Sequence, residues 1–165
     1  MVRKVLTYPD IALKAECDEV KELSDNIKRI IQDLIDTMTD AGHSTGIAAS
    51  QIGEPVRIVA ADASRSRKPC ENHGLLVLIN PEIIKYEGSV QSREGCMSVP
   101  EFTGNVTRAE KIVVQYQDET FDVKVIEAEG FEAILLQHEI DHLNGILFID
   151  RVISRRTDLF RRKNK

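Results

Sequence analysis

Between Ser24 and His43 the apolar residues fall at Ile27, Ile30, Ile31, Leu34, Ile35 and Met38. Steps of three and four place them in one stripe of an α-helix, so this stretch is predicted to lie on a core with its polar residues outward. Ser24 is set to cap the helix, Asp25 stands in the first turn where the dipole favours negative charge, and Gly42 can close the far end. The pattern then changes. "RIVAAD" and "LLVLIN" are apolar enough for buried strands, while "EIIKYEG", "KIVVQYQ" and "FDVKVIEAE" carry β-branched residues in partial alternation. Pro81 directly follows one of these runs and predicts a strand boundary. Residues 61–74, "ADASRSRKPCENHG", read as a surface loop between two strands. A second helix is predicted over about 130–143 with Gly145 just past its end, and a last short helix from Ser154 into the tail. Strands that follow one another closely pair as antiparallel meanders, so the expected class is α+β. The expected architecture is antiparallel or mixed sheets around the 130–143 helix, with an N-terminal and a C-terminal helix, in one domain over 1–165.

At 165 residues the chain can bury a core without staples. Cys17, Cys70 and Cys96 are too few, and odd in number, for a disulfide framework. The start has no apolar signal-peptide region and no run is long enough to span a bilayer, so a reducing, cytoplasmic setting is expected, with no membrane partner. The net charge is −5, yet residues 151–165 hold five Arg and two Lys against one Asp. That tail is either a handle for a partner such as RNA or a solvated helix face, and composition does not choose between them. An RNA-binding body is disfavoured because it is acidic and lacks Trp, and no DNA partner is expected. Cys70 and His73 lie three apart, but nothing nearby in sequence completes a ligand set.

The stretch "QHEIDHLNG", 137–145, carries the most chemistry. His138 and His142 are one helical turn apart on one face and can share a metal ion. Glu139 is offset by about 100° and can reach a water held there. The alternative is two helix-surface histidines; against it, Ala133, Ile134, Leu135, Leu136, Ile140 and Leu143 make the segment apolar. A catalytic site needs a third ligand and an open position. Downstream, "LNGILFIDRVISRRTDLF" offers no His or Cys, with Asp150 its first acid. Upstream, Cys96 stands between Gly95 and Met97, and is either a thiolate ligand or a small buried hydrophobe.

"EGCMS" (94–98), "QHEIDHLNG" (137–145) and "TGIAASQIG" (45–53) together resemble the three motifs of the peptide deformylases, and "TYPDIAL", "VTRAEKIVV" and "GILFIDR" extend the likeness across most of the chain. The resemblance implies one divalent metal per chain on Cys96, His138 and His142, generally Fe²⁺, with Zn²⁺, Ni²⁺ or Co²⁺ able to substitute, and oxygen sensitivity through the thiolate. It implies removal of the formyl group from N-formylmethionyl nascent peptides, giving formate. Glu139 would carry the proton, and Gln51 with the N–H of Met97 would hold the oxyanion. Phe131, Ile134 and Leu135 stand seven, four and three residues before His138 and would form an apolar wall for methionine; plain core packing is the alternative. Backbone around Gly46, from Thr45 to Ile47, would pair with the substrate as an added strand, and Glu94 and Gly95 would also belong to the substrate site. Glu94 would also orient the metal-site loop, and Arg108 would serve as an ion-pair partner. In the family the first motif begins Gly-apolar-Gly where this chain has Ser44-Thr45-Gly46, which bears on pocket shape. Met97 replaces the commoner Leu. The basic C-terminal helix resembles one that docks on the ribosome in short bacterial members, and a monomer is expected. Two rival readings remain: a metallopeptidase using the same helix, and a structural metal site closed by a fourth ligand such as His43.

Overall fold

The structure, a computed structural model, describes residues 1–162. Helix α1 spans Asp25–Asp40 and α2 spans Gly130–Leu143. The strands are β1 (Gly46–Ala48), β2 (Ile58–Asp62), β3 (Leu75–Glu87), β4 (Val90–Cys96), β5 (Val99–Arg108), β6 (Lys111–Gln117), β7 (Val123–Glu129) and β8 (Leu159–Arg161). They form a five-stranded sheet, β1-β2-β3-β6-β7, and a three-stranded sheet, β4-β5-β8. All strand pairs among the described residues are antiparallel. The α+β expectation holds.

The apolar runs of β2 and β3 have a simple cause: helices cover both faces of this end of the sheet. Ile58, Ala60, Val77 and Ile79 point to one side and pack with Ile27, Ile30, Ile31, Leu34 and Met38 of α1. Val59, Ala61, Leu76 and Leu78 point to the other and pack with Ala133, Leu136, Ile140 and Leu143 of α2. Ser24 Oγ accepts from the Ile27 N–H at 3.2 Å, so the anticipated cap is in place. A third cluster of Leu13, Val99, Val106, Leu147, Phe148 and Ile149 sits against the small sheet. Helix α2 therefore has one sheet on one side and the Phe148 cluster on another, which leaves almost none of it in water.

Two expectations need correction. Pro81 does not end a strand. β3 continues through it by a bulge, with Asn80 at φ 52° and a register shift between Ile79 and Glu82. The Asn80 side chain stabilises that kink by bonding both the N–H and the C=O of Val20. The C-terminal helix is also absent among the described residues: 151–158 are turns and bends, and Leu159–Arg161 pairs with β5 through Phe102, Thr103 and Gly104. Leu159 and Phe160 find apolar cover on the small sheet, which an isolated short helix would not provide. The last three tail residues, 163–165, lie outside the described residues.

Gly145 closes α2 at φ 73°, and a Cβ there would overlap the backbone carbonyl of Lys14. Gly145→Ala is expected to cost about 2–4 kcal/mol through the left-handed backbone and that collision. Urea denaturation measures it; a loss below about 0.5 kcal/mol would show that the Lys14 segment simply moves aside.

Candidate active site

The "EGCMS" segment is the end of β4 and a tight turn into β5, where Cys96 pairs with Val99 across Met97 and Ser98. Its Cys96 Sγ lies 3.4 Å from His142 Nε2. Cys96, His138 and His142 offer ligand atoms that all lie within 4.8 Å of one another. Two ligands on one tetrahedral ion, at bond lengths near 2.0–2.3 Å, stand about 3.5 Å apart, so the observed Cys96–His142 spacing fits a shared metal. The donor set, one thiolate and two imidazoles, suits a borderline divalent transition metal. His43 is on the cleft wall but outside this cluster, so no fourth protein ligand among the described residues closes the site.

The two imidazoles are not alike. Burial pulls His138 down, but its bonds to Cys96 and Glu94 outweigh burial and hold it well above the usual histidine range. Burial, with the charges of His138 and Arg108, pushes His142 well below that range, so its ring is neutral and one of its nitrogens carries a free lone pair. His138 Nδ1 bonds Glu94 Oε1 at 2.9 Å, which turns Nε2 toward the cluster. Glu94 in turn takes two bonds from Arg108, at 2.8 Å each, and Arg108 gives a third to Asp141 at 2.7 Å. Arg151 completes the chain from outside with two bonds to Asp141. Burial would raise the Glu94 carboxyl; Arg108 and His138 prevail and hold it at about 2. Gln137, buried on the same helix, exchanges bonds of 3.0 Å with the backbone N–H and C=O of Ala109. That pair fixes α2 to the end of β5.

Glu139 is buried beside the ligands, and its Oε1 has no partner among the described residues. Burial pushes its carboxyl up to about 7, with the charge of Glu94 adding and those of His138 and Arg108 opposing. A group that titrates there can both take and give a proton at neutral pH. The Gln51 amide is aimed from behind: its Oε1 accepts from the Ala48 N–H at 2.9 Å, and its Nε2 donates to Ser98 Oγ at 3.0 Å and faces Cys96 Sγ at 3.5 Å. The chain's first residues tie the two loops together. Leu6 N–H donates to Gln51 O and Tyr8 N–H to Ser98 O, both at 2.7 Å.

With His142 fully buried next to them, Cys96 and His138 line a cleft of about 400 Å³. Thr45, Gly46, Gln51, Glu94, Gly95, Cys96, Met97, His138 and Glu139 line it, and Phe131, Ile134 and Leu135 form its apolar wall. Ile47 is the exception among the anticipated residues. Its side chain is fully buried on the α1 side of the sheet and presents only backbone toward the site. The cleft runs between two unpaired strand edges, since β1 and β4 are both outermost in their sheets. Gly46 is required by space: a Cβ there would stand 2.7 Å from Glu139 Oε2. The Ser44-Thr45 departure is accommodated, because Ser44 has no left-handed backbone angle, its hydroxyl donates to Gly46 O at 3.1 Å, and Arg65 Nε holds Ser44 O at 2.8 Å. Sequence reading gave no role to Ser98, which aims Gln51, or to Arg93 and Arg162 at the cleft wall. Ser98 stood inside a quoted motif, whereas the arginines had no local signal. Cys70 and His73 take structural bonds, the thiol to Ala63 O and the imidazole to Glu132 at 2.6 Å.

Removing the cation at the centre of the buried chain would leave Glu94 with His138 alone and Asp141 with Arg151 alone. Arg108→Met is expected to destabilise the protein by about 3–5 kcal/mol, read as a lower urea midpoint. A cost below about 1 kcal/mol would mean that water replaces the guanidinium.

Residues 2–158 match the family model of polypeptide deformylase. A peptide deformylase from Thermodesulfovibrio yellowstonii is 40% identical over 164 residues, covering 99% of this chain and 97% of that protein. The crystal structure of a peptide deformylase from Legionella pneumophila superposes with a TM-score of 0.84 at 38% identity, over 92% of this chain and 86% of that one. One from Thermotoga maritima gives 0.84 at 32% identity, over 93% and 99%.

Proposed function

The chain belongs to the polypeptide deformylase family, hydrolases that take the N-formyl group from newly made polypeptides, and we propose how its own residues carry out that reaction. The observation that carries the reading is the placement of the buried Glu139 carboxyl, its Oε1 without a partner among the described residues, beside the Cys96–His138–His142 triangle at an open cleft. A divalent metal on those three ligands would polarise the formyl carbonyl and make water nucleophilic near neutral pH. We assign it as Fe²⁺, with Zn²⁺, Ni²⁺ or Co²⁺ able to substitute, because a thiolate with two imidazoles accepts any of them.

Glu139 takes the proton of the attacking water and delivers it to the peptide nitrogen as the C–N bond breaks. The products are formate and a free N-terminal methionine. Gln51 Nε2 and the Met97 N–H donate to the oxyanion of the tetrahedral carbon, and Gln51 arrives already oriented by Ala48 and Ser98. The substrate lies extended between the edges of β1 and β4, bonded by backbone around Gly46 and Gly95, as an added strand. Its methionine side chain rests on Phe131, Ile134 and Leu135, with Thr45 at the rim. Glu94 acts through His138 and does not touch the substrate.

No helix of the described residues is long and apolar enough to cross a membrane. We place the enzyme in the cytoplasm, where formylated chains emerge, and as a monomer, because one chain supplies every group of the site. Ribosome docking through the basic tail would rest on the exposed Arg155 and Arg156, since Arg151 is committed to Asp141. Unchanged co-sedimentation with ribosomes after charge reversal at both arginines would remove it.

Glu139→Gln is expected to lower kcat for formate release from formyl-Met-Ala-Ser by about 10²–10⁴-fold while one metal per chain is retained by elemental analysis. Retained turnover would sink the assignment of Glu139. Gln51→Ala is expected to lower kcat by about 10²–10³-fold. Chelation should abolish turnover and Fe²⁺ under anaerobic conditions restore it. Casein should remain intact under the same conditions; its digestion would favour the metallopeptidase reading.

A further inference from the structure

Arg162 carries an Nε without a hydrogen-bond partner among the described residues. Its backbone N–H donates to Glu101 O at 2.7 Å, which carries the pairing of β8 one step past Arg161. From there the side chain crosses Thr103 of β5 and ends on β4. Its Nη2 lies 2.5 Å, and its Cζ 3.5 Å, from the point a Cβ on Gly95 would occupy. The guanidinium thus fills the place of the side chain that Gly95 lacks, on the cleft wall next to Cys96. Its Nε is buried and has no acceptor among the described residues. The neighbouring cations differ. Arg108 and Arg151 are spent on Glu94 and Asp141, and Arg93 lies over the Phe160 ring at 3.7 Å with its Nε on Asn105. A buried guanidinium N–H without an acceptor costs free energy, and the same group puts its Nη2 on the cleft wall at Gly95, where a ligand oxygen can bond it.

The direction of the cleft says which oxygen. A peptide laid along the free edge of β4 with its formyl group at Cys96 passes Gly95 and then Arg93, advancing about 3.3 Å per residue. Its first residue therefore comes level with Gly95, and its second and third lie about one and two steps past the position that Arg162 covers, within reach of the guanidinium. Resting on the deformylase reading of the site, we propose that Arg162 is a specificity-determining residue of the downstream subsite: its guanidinium receives the main-chain carbonyl of the second or third substrate residue, or the terminal carboxylate of a short formyl peptide. The basic tail thereby acts in substrate recognition. An arginine binds either oxygen, but its charge distinguishes them, since a carboxylate gains a charge-assisted bond and a carbonyl a weaker one.

The test compares formyl-Met-Ala-Ser as the free acid and as the C-terminal amide, with the metal-loaded enzyme, and pairs the kinetics with calorimetric binding of the deformylated Met-Ala-Ser acid and amide. The wild type is expected to favour the acid roughly fivefold, in KM and in product affinity, with a preference that shrinks as salt is added. In Arg162→Gln that ratio falls to about one in both readouts, and Arg162→Lys keeps part of it. Equal acid and amide binding by the wild type, or a ratio that Arg162→Gln leaves intact, overturns the subsite while formate release still supports the deformylase reading. Failure of the wild type to release formate from either peptide overturns that reading, and the subsite with it.

Discussion

A carboxylate sealed from water needs its charge answered by protein, and Glu94 is where this fold meets that demand. One bond from His138 and two from Arg108 hold it ionised. Arg108 in turn needs Asp141, and Asp141 needs Arg151. The chain of alternating charges joins β4, β5, α2 and the segment after α2. Each link is affordable only because the next is present. The interaction that orients a metal-ligating imidazole is thus the same one that fixes the small sheet against the central helix.

Helix α2 shows the cost of that arrangement. Gln137, His138, Glu139, Asp141 and His142 are all buried, a polar load that would be destabilising in an ordinary core helix. Two compensations are visible. Gln137, His138 and Asp141 have protein partners, and the α1 side of the five-stranded sheet packs a large apolar cluster beside which the buried Asp33 and Thr37 are both bonded to Arg3. Among the described residues Glu139 Oε1 and His142 Nδ1 are left without a partner, and Glu139 lines the cleft where reacting atoms belong. Stability comes from one face of the sheet and chemistry from the other.

Residues whose role is set by local spacing were legible in sequence. The α1 stripe, its Ser24 cap, the extent of α2 and the His138–Glu139–His142 spacing all follow from helical periodicity. Elements that depend on distant partners were not. β4 and β5 lack a clean alternation because Glu94 and Arg108 occupy buried positions where apolar residues would have marked strands. Pro81 looked like a stop because the bulge that admits it rests on Asn80 reaching Val20. The tail looked helical because its charges carry no record of β5, the strand that receives Leu159–Arg161. Cys96 could be named a ligand only through resemblance, since nothing local tells a thiolate ligand from a buried hydrophobe.

The bonds from Leu6 to Gln51 and from Tyr8 to Ser98 carry a consequence for how the molecule comes into being. They join segments far apart in sequence, as do the Glu94–His138 bond and the pairing of β8 with β5. Loop closure must come before such contacts reward it, so high contact order makes them late events in folding. The cleft needs segments from Leu6 to Arg161 docked together, so it is complete only when all of these contacts are made. Catalytic competence is then a signature of the finished fold, and partly folded forms would hold helix and sheet with no working centre.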